Sequence, residues 1–343
     1  FMNKIIKWGL IGLGNASLNL ANEFNKIDNS KLIAIASKTN VKLEEFKNKF
    51  NISNENAYSD YEKIFQNKDI DIIYIGLPNT LHEKFCLKAL EYNKHVLVEK
   101  PITIDFESFL RIKKQFNKKN LLLEEGTANK HHPFYKNAMN ILSKINHSNI
   151  YKIKSSFGND ALGGKEIFGF RLKKINTNKR LFNKSLGGGA ILDGGIYPIS
   201  LIVDILNLFS KDYFEDLYIS KCYKNISKNI DLNSKIHLKI KKIEIEIEIS
   251  LIKNLSNNLE IYTKDEFIKI ENIFNISSNS SIQIEKDSDT KLITNKDNNN
   301  SYYHEIKEIS ELLIKNINNG EDFQKKFYKI EKNFKFLSKW LLS

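Results

Sequence analysis

Gly9-Leu10-Ile11-Gly12-Leu13-Gly14-Asn15-Ala16-Ser17 decides how the first third of the chain is read. Ahead of it, Lys4–Ile11 is a largely apolar run bounded by glycine, which reads as a buried strand. Behind it, a helical pattern covers Ser17–Asn25. Gly12 permits the tight turn between the two. Gly14 lets the backbone approach a pyrophosphate, which then sits on free N–H groups where the helix starts. The third fingerprint position holds Ser17 in place of glycine. Serine is still small enough for helix to pack on strand, and its hydroxyl is suited to capping the helix or bonding a phosphate oxygen. Alone, such a glycine pattern is weak evidence. A strand before, a helix after and a second strand at the right distance strengthen it.

Outward from this turn, strand and helix alternate. Lys31–Ala36, Ile70–Ile75, His95–Val98 and Leu121–Glu124 read as strands; Val41–Phe50, Thr80–Tyr92 and Asp105–Phe116 read as helices. Such alternation predicts a Rossmann-like, doubly wound parallel sheet over residues 1–125. The pattern changes after Gly126. Pro133–Ile145 reads as a helix and Tyr151–Phe157 as a strand. Lys235–Leu251 contains Lys-Ile-Glu-Ile-Glu-Ile-Glu-Ile-Ser-Leu, with isoleucine on one face and glutamate on the other, an antiparallel strand wetted on one side. Further strands are expected to Ile284, a mobile loop over Asp287–Ser301, and closing helices over Tyr302–Asn318 and Phe323–Leu342. Residues 126–343 are thus expected to form an α+β domain with a large, mostly antiparallel open sheet, holding substrate and pairing subunits.

Composition narrows the function classes. With 343 residues and 41% hydrophobic content, the chain is long enough for two cores. Cys86 and Cys222 make no disulfide framework and no CxxC, which favours a reducing, cytoplasmic setting. Phe1 ahead of Met2 reads as a cloning remnant, and no signal peptide is expected because charged Lys7 follows Ile5-Ile6. The apolar stretch Ile196–Phe209 is broken by Asp204 and falls short of the about 20 residues that span a membrane. The formal net charge is +12, but the lysines are spread evenly and form no basic block. No nucleic acid and no membrane partner is expected. A positive field would still favour a phosphate-bearing cofactor or an acidic substrate.

The second strand ends Ala36-Ser37-Lys38-Thr39, and no acid appears before Glu44. An acidic residue there would bind the ribose 2′-hydroxyl of NAD and repel a 2′-phosphate. Ser37 and Lys38 would hold one, so NADP is favoured over NAD, with NAD possible as an alternative. The fourth expected strand runs into Glu99-Lys100-Pro101. A lysine at the C-terminal end of a parallel strand lies near the cofactor crevice and suits the polarisation of a carbonyl or hydroxyl. By itself the tripeptide reads as a surface turn. Further on, Leu186–Ser200 reads Leu-Gly-Gly-Gly-Ala-Ile-Leu-Asp-Gly-Gly-Ile-Tyr-Pro-Ile-Ser, setting Asp193 and Tyr197 four residues apart among glycines.

Taken together, GLIGLGNAS, GLPNTLH at Gly76–His82, VLVEKPI at Val96–Ile102, GGGAILDGGIYP and YYHEIKEI at Tyr302–Ile309 resemble the Gfo/Idh/MocA oxidoreductases, in order along essentially the whole chain. The likeness is greatest to the branch of dihydrodiol dehydrogenase, D-xylose dehydrogenase and glucose–fructose oxidoreductase, which carries tyrosine where the inositol dehydrogenase branch carries histidine. The resemblance implies a hydroxyl–carbonyl interconversion on a sugar, polyol or related small molecule. It implies that Lys100 and Tyr197 meet beside the nicotinamide, with Tyr197 the acid and base. A phenol near pKa ~10 needs a cation such as Lys100 to favour its anion. Asp193 would orient the substrate or Lys100. Gly12, Gly14, Asn15, Ala16, Ser17, Ser37, Lys38, Leu77, Pro78, Asn79, His82, Glu99 and Lys100 would line the cofactor, and the glycines at 187–189, 194 and 195 would let the backbone pass close to the ligands.

The chain departs from the family pattern in the segment Glu125–Pro133, Glu-Gly-Thr-Ala-Asn-Lys-His-His-Pro. Lys130 stands for the usual arginine and loses its bidentate reach, and small polar residues replace bulky ones. A roomier pocket follows. His131-His132 reads as a helix start and not as a metal site, because adjacent side chains diverge and no third ligand is spaced nearby. Arg180, shortly before the glycine run, reads equally as a substrate contact or as an exposed cation. The alternative to an enzyme is a non-catalytic, nucleotide-sensing regulator of the same fold, which the loss of Lys100 or Tyr197 would have favoured. A homo-oligomer, dimer or tetramer, is expected. Relatives commonly pair through the outer sheet face, where the glutamates of Lys242–Glu248 would be awkward in a dry contact.

Overall fold

The computed structural model describes residues 4–163, 166–167, 170–171, 175–209, 217–319, 323 and 327–343. The readings of Phe1–Asn3 and of residues 324–326 in the last helix lie outside them. The chain divides into two compact units, residues 1–131 with 299–331 and residues 132–298 with 332–343.

The first unit is built on six parallel strands: β1 (Ile6–Ile11), β2 (Ser30–Ala36), β3 (Ala57–Tyr58), β4 (Ile72–Ile75), β5 (His95–Glu99) and β6 (Leu123–Gly126). Their spatial order is β3-β2-β1-β4-β5-β6. Helices α1 (Asn15–Ala21), α2 (Asn40–Lys49), α3 (His82–Glu91) and α4 (Phe106–Phe116) connect them. Strands covered on both faces are apolar where they are covered, and Trp8, Leu10, Ile72, Tyr74, Val96 and Leu97 are all fully buried. The strand order reverses beside β1, with β2 on one side and β4 on the other, which creates the switch point where such sheets bind ligands.

The second unit carries an eight-stranded sheet ordered β10-β11-β12-β7-β13-β14-β15-β16. Its strands are β7 (Ile150–Gly158), β10 (Tyr218–Ser227), β11 (Ile230–Ile240), β12 (Ile243–Ser250), β13 (Asn258–Thr263), β14 (Glu266–Glu271), β15 (Ser281–Lys286) and β16 (Asp289–Thr294); β8 (Glu166–Ile167) and β9 (Phe170–Arg171) form a separate pair. Every neighbouring pair is antiparallel except β12 with β7, which is parallel. The alternation read in β12 is the one observed: Ile243, Ile245, Ile247 and Ile249 are at most 2% exposed. On the opposite face Lys235 Nζ lies 2.8 Å from Glu246 Oε1 and Lys239 Nζ 3.5 Å from Glu244 Oε1. The segment read as a loop over Asp287–Ser301 instead holds β16, joined to β15 by the two-residue turn Asp287-Ser288 with Asp287 at φ 54°. β16 is exposed along most of its length, so no apolar stripe marks it.

Helices α5 (Pro133–Leu142), α6 (Ala190–Gly194) and α7 (Ile196–Phe209) belong to the second unit. Asp204, the carboxyl that interrupts an apolar helix, has a reason to be there: buried Tyr135 Oη donates to its Oδ2 at 2.8 Å and ties α5 to α7. Among the described residues no single helix is long and apolar enough to cross a membrane.

The compact units divide the chain differently from the linear boundary at residue 125. Helix α8 (Ser301–Asn319) returns to the first unit. Its Ile306, Ile309 and Leu313 join the core of Trp8, Leu20 and Ile35, and Ser310 Oγ accepts Trp8 Nε1–H at 3.1 Å. The final helix, α9, runs from Phe327 to Leu342. In the second unit, Trp340 Nε1–H donates to Ser234 Oγ at 2.9 Å.

Candidate functional site

In the first unit, Gly12 closes the turn between β1 and α1 at φ 80°, and its N–H donates to Ala36 O at 3.1 Å. A Cβ at Gly12 would come within 2.6 Å of Gly76 O, so β1 and β4 approach too closely there for any side chain. Ser17 is fully buried, and its hydroxyl donates to Gly12 O. It therefore locks the turn and does not cap α1, whose N-cap is Gly14 with no side-chain hydrogen bond. A Cβ at Gly14 would meet nothing within 4 Å, Asn15 is exposed and Ala16 partly so. An uncapped, open helix start beside a glycine turn fits the phosphates of a dinucleotide.

Beyond β2, Ser37 is buried and its Oγ accepts Thr39 N–H at 3.1 Å. Lys38 is exposed with Nζ 5.5 Å from the Tyr61 ring centroid, a cation held over an aromatic face. Beyond β4 come Leu77, Pro78 and Asn79, with Leu77 and Asn79 buried. His82 opens α3 and is fully buried; its Nδ1 lies 2.9 Å from Pro101 O and its Nε2 2.8 Å from Leu77 O. The ring thus ties the loop after β4 to the turn after β5.

That turn holds Glu99-Lys100-Pro101, with a cis peptide between Lys100 and Pro101. Tyr74 Oη donates to Glu99 Oε1 at 2.5 Å, and Lys100 N–H donates to Glu99 Oε2 at 3.2 Å. On β6, Glu125 is 3% exposed and its Oε1 accepts Ile102 N–H at 3.0 Å. Burial pushes its carboxyl up to about 7, although the Ile102 N–H and the Lys130 and Lys100 cations pull it back. Lys130 is half-buried in a short 3-10 turn over Ala128–His131. The helix start read at His131-His132 is observed: His132 caps α5, its Nδ1 accepting Phe134 N–H at 3.1 Å. Its neighbour His131 faces α8, its Nδ1 3.2 Å from Glu308 Oε2 and its Nε2 3.9 Å from Glu305 Oε1. Burial, then the nearby Glu99, Glu124 and Glu308, raises the Glu305 carboxyl well above its ordinary range.

The second unit holds the remaining candidates. Asp193 lies on α6, and Arg180 Nη2 donates to its Oδ1 at 2.6 Å. Tyr197 lies in the first turn of α7, its ring 4.7 Å from Phe157 and 5.9 Å from Phe274 between centroids. The glycine run answers first to the chain's own atoms. A Cβ at Gly189, at φ 118°, would lie 2.4 Å from Asp231 Oδ1, and Asp231 Oδ2 accepts Ile191 N–H at 2.7 Å. Gly189 thus admits the carboxylate that holds the start of α6.

The structure brings together Gly12, Ser17 and Gly76, His82 and Leu77, and Arg180 and Asp193. Lys100 belongs to the first unit and Tyr197 to the second. Glu125, Asp231 and Tyr74 escaped the sequence reading. An acid after the apolar run Leu121–Leu123 was a signal for Glu125; nothing local pointed to Asp231, which acts 40 residues away.

A family model described as "Oxidoreductase family, NAD-binding Rossmann fold" matches residues 6–127. Among curated relatives, dTDP-3,4-didehydro-2,6-dideoxy-alpha-D-glucose 3-reductase of Saccharopolyspora spinosa is 29% identical over 57% of this chain and 55% of its own length. Trans-1,2-dihydrobenzene-1,2-diol dehydrogenase of Xenopus laevis is 27% identical over 59% of this chain and 57% of its own. The chain thus spans little more than half the length of these relatives. Among solved structures, a 3-ketoreductase from Actinomadura kijaniata in complex with NADP and TDP-benzene superposes with a TM-score of 0.81 at 19% identity, over 97% of this chain and 96% of that one. Aldose-aldose oxidoreductase from Caulobacter crescentus, complexed with glycerol, gives 0.82 at 16%, over 99% and 97%.

Proposed function

We propose that the chain is an oxidoreductase of the Gfo/Idh/MocA type that takes NAD(P) on residues 6–127, which match that family's NAD-binding Rossmann model, and that it interconverts a hydroxyl and a carbonyl on a sugar, polyol or related small molecule, with NADP as the preferred cofactor. The observation that carries this reading is the pairing, on one parallel sheet, of an open phosphate turn after β1 with Lys100 directly after β5. The relatives named as sugar 3-reductases and a diol dehydrogenase support the substrate class. When bound, the nicotinamide supplies hydride in reduction and takes it back in oxidation. Tyr197 gives its phenolic proton to the carbonyl oxygen in reduction and removes the hydroxyl proton in oxidation. Lys100 hydrogen-bonds the same oxygen, and its charge favours the phenolate. Asp193, held by Arg180, orients substrate hydroxyls, and Lys130 adds a donor from the first domain. Lys38, beside buried Ser37, would hold the 2′-phosphate of NADP.

One set of variants tests the proposal, assayed with aldoses, ketoses and polyols against NADP(H) and NAD(H). Tyr197→Phe and Lys100→Ala should each lower kcat about 100- to 10,000-fold while NADPH still binds by fluorescence. Lys38→Ala should raise KM for NADP and leave KM for NAD nearly unchanged. Near-normal turnover in Tyr197→Phe removes the acid–base role, and an unchanged KM for NADP in Lys38→Ala removes the cofactor preference.

A further inference from the structure

His82 opens α3 and Glu125 lies on β6, and no spacing in the sequence links them. The structure brings both to one peptide group, the one joining Pro101 to Ile102, one residue beyond Lys100. His82 Nδ1 lies 2.9 Å from the Pro101 oxygen, and the Ile102 N–H donates to Glu125 Oε1 at 3.0 Å. The other ring nitrogen of His82 lies 2.8 Å from Leu77 O. A carbonyl oxygen only accepts and a neutral imidazole carries a single N–H, so the Pro101 contact is a hydrogen bond in the tautomer that keeps the proton on Nδ1. His82 is 0% and Glu125 3% exposed, so water replaces neither partner. A donor on the carbonyl and a carboxyl on the N–H pull the amide dipole the same way, and each bond strengthens the other.

We propose that His82 and Glu125 form a single positioning device that clamps the peptide between Pro101 and Ile102 from both sides and so fixes the backbone from which Lys100 projects. This rests on the reading of Lys100 as a catalytic residue. His82 and Glu125 act through that backbone and are positioning residues. The charged groups that face Glu125 are Lys130 from the 3-10 turn, Glu124 on its own strand and Lys100 after β5. As the carboxyl ionises it becomes the stronger acceptor, and the clamp tightens.

The amide of Ile102 reports the clamp directly. In wild-type protein its nitrogen–proton signal should titrate with a midpoint near about 7 and exchange slowly with solvent. That titration should vanish in Glu125→Gln. Glu125→Gln and His82→Asn should each lower kcat about ten- to a hundredfold, with KM for NADPH moved far less. The double variant should be no worse than the worse single, because either change loosens the same clamp, Glu125→Gln by leaving Ile102 only a weaker, neutral acceptor. An Ile102 amide that neither titrates nor resists exchange overturns the proposal without any variant having to fold. Losses in kcat that multiply in the double variant overturn it as well. Lys100→Ala separates the two readings: full turnover there defeats the role of Lys100 and leaves the amide result standing.

Discussion

Glu125 shows at the scale of one residue what burial does to a carboxyl. Its folded value stands near about 7 against an ordinary 4.5, with burial the chief cause. The raised value sets the sign of its pH dependence. The stability it contributes is complete below the unfolded value of 4.5 and is lost as pH rises through the folded value near about 7. In that window only the unfolded chain releases its proton, and above it both states are ionised. The whole loss is about 3 kcal/mol. Glu125→Gln keeps the shape and an acceptor for Ile102 while removing the charge. In urea unfolding, the variant should match wild type near about pH 5 and exceed it by about 2–3 kcal/mol near about pH 8. An equal difference at both pH values would sink the assignment. At this scale the sequence was legible where local backbone decides, as for the tight turn at Gly12 and the place of Lys100 directly after β5. It was not legible where side-chain direction decides: nothing local says that the Ser17 hydroxyl turns to Gly12 O and not outward.

Elements were legible where burial writes a period into the chain. β12 alternates because one face of its sheet is buried, whereas β4 and the centres of β1 and β5 are apolar on both faces because both are covered there. β16 lacked such a mark, since its side chains meet solvent and only the turn at Asp287-Ser288 betrays the hairpin. The start of α6 was hidden for another reason: its cap comes from β11. Asp231 Oδ2 accepts Ile191 N–H, and burial raises its carboxyl above the ordinary value despite that bond. Asp231→Ala should lower stability by about 1–2 kcal/mol in urea unfolding, as the loss of a helix cap does. It should also reduce kcat, because α6 carries Asp193 and leads into Tyr197, while NADPH binding by fluorescence stays unchanged. A stability loss with full turnover would confine Asp231 to folding.

Across the whole molecule, the order of elements and the order of compact units are not the same. Periodicity identifies α8 as a helix but says nothing of which core it enters. That is settled by contacts some 300 residues apart in sequence, such as Trp8 Nε1–H to Ser310 Oγ at 3.1 Å and Ser30 Oγ–H to Ser310 Oγ at 2.8 Å. A consequence follows for ligand binding. Ile309 is fully buried in the core that also holds Trp8 and Leu10, and β1 leads into the phosphate turn. Ile309→Ala should cost about 2–5 kcal/mol. NADPH at about 100 times its Kd returns about 2.7 kcal/mol to the unit that binds it. Ile247→Ala, equally buried on β12, should cost a similar amount in the other unit. Calorimetry of both variants with and without NADPH distinguishes the two divisions of the chain. If α8 belongs with the nucleotide-binding sheet, NADPH restores the transition lowered by Ile309→Ala and leaves that of Ile247→Ala in place. Equal recovery of both, or recovery of Ile247→Ala alone, would refute the grouping of residues 299–331 with the first sheet.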